Sequence, residues 1–146
     1  MIREITGGGG DVFQIDTVKP YPKDYAATTN IAKKELNENA RPQLSSHVDN
    51  MELYDVIFLG YPNWWGTMPM PVFTFLEEYD LSGKVIVPFC THEGSGMGRS
   101  ESDIEKLCPE ATILKGLAIH GSRVSAAKKD IENWLSKLSI TSHMDD

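Results

Sequence analysis

The feature that most constrains this chain is a set of apolar runs that alternate with helix-like segments. Residues 55–60 and 84–90 are rich in Val, Ile, Leu and Phe and lack the polar alternation of a strand with one face in water, so they read as strands buried on both faces. Residues 111–120 supply a further strand, and residues 12–15 a short β-like run nearer the start. Between them lie helical patterns. Residues from about 24 to 39 carry alanines, Ile31, Ala32 and Leu36 at helical spacing, and residues 72–79 follow Pro69 and Pro71, either of which can start a helix. Residues 100–107 run until Pro109 stops them; residues 125–138 place Ala127, Ile131, Trp134, Leu135 and Leu138 on one face, with lysines and acids opposite. Strands alternating with helices predict an α/β domain with a doubly wound, mostly parallel sheet covered on both sides and right-handed crossovers.

At 146 residues the chain suffices for a single domain, here residues 1–140 with a frayed tail at 141–146. Fourteen Lys and Arg against 21 Asp and Glu give a net charge of −7, which argues against nucleic acid as a partner, because neutralising phosphates takes clustered cations. No run approaches the ~20 apolar residues of a membrane span, and no basic segment followed by an apolar stretch opens the chain. A soluble, cytoplasmic protein without membrane contact is expected. Cys90 and Cys108 form neither a CxxC pair nor a larger framework, so both are read as reduced, packed side chains.

In a sheet of this kind ligands bind outside the carboxyl ends of the strands, so the loops after residues 60 and 90 are expected to converge on one crevice. The first holds Trp64 and Trp65 among prolines and a glycine, a platform for a flat ring, although aromatics also serve as core or interface anchors. The second, residues 91–98, contains Gly94, Gly96 and Gly98, which let backbone groups approach a ligand closely. GxGxxG, GxxxxGK[ST], HExxH and GxSxG are all missing from these loops. His92 is either a solvated loop residue or a proton donor, and His47, His120 and His143 lie on separate segments, so no metal site is expected. Arg123 reads as a surface or helix-start residue, with a role near a ligand's phosphate as the alternative.

The segments YPNWWGTMPMPVFTFLE at 61–77 and THEGSGMGRSESDIEKLCPEA at 91–111 resemble the ring-binding loops of the short bacterial flavodoxins, with similarity from Glu4 to about Leu138. The resemblance implies a flavodoxin-like three-layer α/β/α fold and FMN as cofactor. It places the isoalloxazine ring against Pro62, Asn63, Trp64, Trp65, Gly66, Thr67 and Met68, and the ring's pyrimidine edge along Thr91, His92, Glu93, Gly94, Ser95 and Gly96. Trp64 and Trp65 would touch the ring, Asn63, Gly66 and Thr67 would offer backbone bonds near its redox-active edge, with a peptide carbonyl near Gly66 as an acceptor, and Gly94, Ser95 and Gly96 would meet its carbonyl edge. The implied function is electron transfer or the work of a small flavin-dependent oxidoreductase. A redox partner protein, or a nicotinamide or quinone substrate, would then be the partner.

One departure from the family pattern matters. Flavodoxins open with an apolar strand and a Ser/Thr-rich loop of the kind SxTGNT that holds the FMN phosphate; residues 1–7 instead resemble the last turn of the following helix, with Gly7 at its C-cap and residues 7–10 as a helix stop and flexible joint. In the order 2-1-3-4-5 the runs at 12–15 and 56–59 thereby lose their shared neighbour. Three outcomes stay open: a rearranged four-stranded sheet, a strand-exchanged or edge-paired homodimer, or a piece of a longer product. The same departure leaves a binding or interaction module with weak or no FMN binding as an alternative function.

Overall fold

The computed structural model describes residues 13–138; the expectations for the glycine run, the first helical turn and the tail at 141–146 concern residues outside that range. Four strand segments, β1 (Val56–Pro62), β2 (Val85–His92), β3 (Thr112–Ile113) and β4 (Leu117–His120), pair entirely in parallel. β2 is central, with β1 on one side and β3 and β4 in succession on the other. The run at 111–120 is therefore two short strands, and Pro88 explains the break. Thr112 and Leu114 N–H groups bond to the carbonyls of Lys84 and Ile86, so even-numbered residues of β2 face this side, and at position 88 proline has no N–H to continue the ladder.

The helices are α1 (Tyr25–Glu38), α2 (Met70–Glu78), α3 (Ser100–Leu107) and α4 (Lys128–Leu138). Asp24 caps α1 by accepting the Ala27 N–H at 3.0 Å, and Asn39, in the left-handed region at φ 52°, ends it. α2 begins one half-turn before the expected position because Pro71 fits its first turn. α4 starts later than expected, since residues 121–126 wind into a 3₁₀ turn first. Among the described residues no helix is long and apolar enough to cross a membrane.

Each sheet face buries its own apolar cluster. Leu59, Tyr61, Ile86 and Cys90 pack with Phe73 and Leu76 of α2 and Ile104 of α3, while α1 adds Leu36 at the margin. On the opposite face Phe58, Val87 and Phe89 meet Ile131, Trp134 and Leu135 of α4. The Trp134 ring stands edge-on to Phe58 and Phe89, its centroid 6.4 Å from each, and its Nε1 donates to the Lys115 carbonyl at 2.8 Å.

Residues 13–15 do not form the expected strand. Next to them Thr17 and Leu44 make an isolated antiparallel bridge, fixed by Ser45 N–H to Asp16 O at 2.8 Å and Val18 N–H to Gln43 O at 2.9 Å. A strand needs a ladder, and the neighbour that would supply one, between this segment and β1, is not among the described residues. The consequence falls on β1 as well. Asp55 accepts from Val85 and Asn63 donates to Thr91, so the odd-numbered backbone groups of β1 face β2, and those of Val56, Phe58, Gly60 and Pro62 face away from it. A groove of about 1040 Å³ runs along this outer edge between β1 and residues 13–17, lined also by Tyr21, Val48, Trp64 and Phe75.

Ile86, at 0% exposure in the central strand, marks where the sheet bears on α2 and α3. Ile86→Ala is expected to lower unfolding free energy by about 3 kcal/mol, through lost transfer energy and the cavity left behind, as read by urea denaturation.

Candidate functional site

The β1–β2 ladder continues beyond the strands. Asn63 N–H donates to Thr91 O at 2.8 Å, and the Asn63 side chain then ties both loops together, its Nδ2 donating to Gly96 O at 2.9 Å and its Oδ1 accepting from Gly66 N–H at 2.9 Å. Residues 64–67 form a tight turn closed by Trp64 N–H to Thr67 O at 2.8 Å and Thr67 N–H to Trp64 O at 3.4 Å. Its two central residues, Trp65 at φ 56° and Gly66 at φ 89°, are both left-handed, the signature of a type I′ turn. Glycine adopts that backbone freely, whereas a bulky tryptophan there is strained by something on the order of 1–3 kcal/mol, a pattern that clusters at functional sites.

The start of α3 locks the turn from below. Arg99 N–H donates to Gly66 O at 2.8 Å, the Thr67 hydroxyl bonds Asp103 at 2.5 Å, and the Arg99 guanidinium lies 3.6 Å from the same carboxylate. The approach is so close at Gly98 that a Cβ there would sit 2.2 Å from Gly66 O. Tyr61 donates to Ser100 Oγ, which donates to Met97 O, at 2.9 and 2.6 Å. Burial outweighs the Ser100 bond and pushes the Tyr61 hydroxyl well above the ordinary tyrosine range.

The two sequence-predicted loops thus meet, but their residues divide into those that face outward and those that hold the loop. Pro62 and Trp64 line the mouth of the groove, where Trp64 stands edge-on to Tyr21 at 5.2 Å. Trp65 is 45% exposed and leans on α1, with Nε1 donating to Thr29 O at 3.0 Å and Lys33 Nζ 4.9 Å from the ring centroid. Thr67 and Met68 are at 0% exposure, their side chains turned into the core. Gly66 has its N–H and carbonyl both engaged within the protein, by Asn63 and Arg99. In the second loop Gly94 at φ 138° and Gly96 at φ 63° have open space where a Cβ would stand, while the Gly94 N–H and the Gly96 carbonyl are bonded within the protein. Ser95 and Glu93 are exposed, Thr91 gives its carbonyl to Asn63, and His92 Nδ1 accepts the Gly94 N–H at 2.9 Å.

Sequence reasoning missed Tyr21, Arg99, Asp103 and His120. Tyr21 donates to Glu35 at 2.5 Å; burial, then this bond and the Glu35 charge, raise its hydroxyl far above the usual value. His120 ends β4 directly opposite His92 at the end of β2. The available signal was topological: any residue at the carboxyl end of a parallel strand faces the crevice. Cys90, at 1% exposure, has its thiol pushed up to about 11 by burial, which leaves it protonated and unreactive at neutral pH. Among the described residues no group of three His, Cys, Asp or Glu side chains could hold a metal ion. Arg123 pairs with Asp130 at 3.3 Å on the surface.

The sequence model of the flavodoxin family matches residues 3–138. The chain belongs to the flavodoxin family. Among solved structures, this flavodoxin-family protein superposes with a TM-score of 0.77 on a candidate flavoprotein from Bacteroides eggerthii DSM 20697, which is 33% identical, over 94% of this chain and 88% of that one. A candidate flavoprotein from Bacteroides uniformis ATCC 8492 is 26% identical, with a TM-score of 0.76 over 92% and 85% of the two chains. A flavoprotein from Lactobacillus acidophilus NCFM, solved in complex with FMN, shares the fold at 21% identity and a TM-score of 0.61, over 77% and 76%. No functionally curated protein matches the chain.

Because the Asn63 side chain bridges the two loops, Asn63→Ala leaves the Gly66 N–H and the Gly96 carbonyl without it. Thermal or urea denaturation should show a loss of about 1–3 kcal/mol, and Trp65, on the turn this bond supports, should shift its emission.

Proposed function

We propose that this flavodoxin-family chain binds FMN and serves as an electron-transfer protein, with the isoalloxazine ring held between Pro62–Asn63–Trp64–Trp65–Gly66 and the glycine-rich loop Gly94–Ser95–Gly96. The observation that carries the reading is the fusion of the two loops at Asn63, which sets a strained tryptophan turn beside glycine backbone with open space in front of it. That cradle suits the flat face and the donor–acceptor edge of a flavin, and the Lactobacillus acidophilus flavoprotein of the same fold holds FMN. Bound FMN supplies one- and two-electron redox chemistry. The protein's residues orient the ring, screen it from water and bias its potential. A net charge of −7 resists the build-up of negative charge in the site and so favours a low reduction potential.

The phosphate is served less well. The N-cap positions of α1, α2 and α3 are Asp24, Pro69 and Arg99, and none of these three starts is a Ser/Thr-rich loop whose amides and hydroxyls could cradle a phosphate. An anion opposite Asp24 would be repelled. The ring is therefore the main anchor, and riboflavin is expected to bind within about tenfold of FMN, a difference near 1.4 kcal/mol. Flavin fluorescence quenching on titration with each ligand checks this; absence of quenching by either ligand contradicts the proposed site. Rapid bleaching of the yellow protein by NADPH alone would mark a small flavin-dependent oxidoreductase rather than a carrier, which needs a protein partner.

The groove beside β1 favours a second reading, an interaction module with weak or no FMN binding. Among the described residues no strand pairs with the outward backbone groups of Val56, Phe58 and Gly60, which lie along an apolar groove. Light scattering that shows a concentration-dependent mass unaffected by flavin would favour it over the redox reading.

A further inference from the structure

β2 and β4 end in register at His92 and His120, whose rings stand edge-to-face with centroids 5.4 Å apart. Each Nδ1 accepts a backbone N–H from two residues further on: His92 from Gly94 at 2.9 Å, and His120 from Ser122 at 3.2 Å, with the Ser122 hydroxyl also at 2.9 Å. A backbone N–H can only donate, so each Nδ1 carries a lone pair and each ring is the neutral Nε2–H tautomer. His120 Nε2 lies 3.9 Å from Glu93 Oε2, beyond hydrogen-bond distance. Gly94, the residue His92 holds, sits at φ 138° with open space before it.

We propose that His92 is a positioning residue for the carbonyl edge of the flavin: its neutral imidazole fixes the Gly94 N–H, and with it the backbone of residues 94–96, while the His120 ring packs edge-to-face against the His92 ring. The inference rests on the flavin-binding reading above and adds a control of it. Protonation turns the His92 Nδ1 from an acceptor into a donor aimed at another donor, so the bond to Gly94 is lost and the loop is released. The ionisable groups set against His92 are His120, across the strand pair, and Glu93, its chain neighbour. Arg123, in the next turn, is occupied by Asp130. Flavin binding is thereby tied to a neutral His92, strong at higher pH and weakened on acidification.

The test is FMN affinity between about pH 8 and about pH 5, the interval over which imidazole takes up a proton, in wild type, His92→Asn and His92→Ala. An Asn side chain accepts a backbone N–H two residues on without titrating. Wild type should lose about tenfold in affinity over the interval, His92→Asn should bind as wild type does at pH 8 and keep that affinity at pH 5, and His92→Ala should bind weakly throughout. Amide exchange of the flavin-free protein gives an independent reading, with Gly94 protected in wild type and His92→Asn and unprotected in His92→Ala. Wild-type affinity that is independent of pH, or Gly94 protection that survives His92→Ala, overturns the proposal. Failure to bind FMN at every pH instead overturns the flavin reading and the ring role with it, while the Gly94 amide still decides whether His92 holds the loop.

Discussion

The parallel ladder between β1 and β2 is the constraint on which the rest depends. It does not stop where the strands stop: Asn63 N–H to Thr91 O adds a further rung, and from that rung the Asn63 side chain reaches both Gly66 and Gly96. Two loops about thirty residues apart in sequence are thus set by one register. A slip of a single residue along β2 would turn Leu59 and Tyr61 toward α4 and separate the loops at the same time. Fold and site share one specification, which is why the site's inner residues, Thr67, Met68 and Ser100, are as buried as any in the core.

The other edge of β1 is governed by the reverse condition. Its even-numbered backbone groups have no ladder among the described residues, the segment 13–17 has only the bridge at Thr17, and the groove lies between them. Tyr21 and Trp64 stand together at the groove's mouth. Among the described residues, the end of the crevice that would serve a phosphate is therefore the end with the fewest strand partners, whereas the end that would read a ring is braced by β2, α3 and β4. On the proposed reading, ring contacts would then dominate flavin binding over those that the described residues offer a phosphate.

Much of this was legible in the sequence where a local pattern decides structure. The runs at 55–60 and 84–90 became β1 and β2, and Pro109 confined α3 to residues 100–107. What escaped depended on neighbours distant in sequence. Residues 12–15 look like a strand, but residues 13–15 lack a partner to pair with; the run at 111–120 is divided because Pro88, on another strand, cannot donate to it. Likewise WWGTM identifies a ring-binding candidate, yet only the left-handed pair at Trp65 and Gly66 shows that Trp65 turns outward while Thr67 and Met68 turn in. His120 gave no local sign at all, since its importance comes from register with His92.

The central claim is that one flavin ring is read jointly by the two loops joined at Asn63. A ¹H–¹⁵N NMR titration with FMN tests it most directly, because each loop carries its own reporters: the indole N–H groups of Trp64 and Trp65 in the first, and the Gly94, Ser95 and Gly96 amides in the second. The account predicts that both sets shift together along one saturating curve, while the indole of Trp134, which α4 packs into the cluster on the far face of the sheet, stays in place. Shifts confined to one loop, or centred on residues 13–17 and the outer edge of β1, would contradict it.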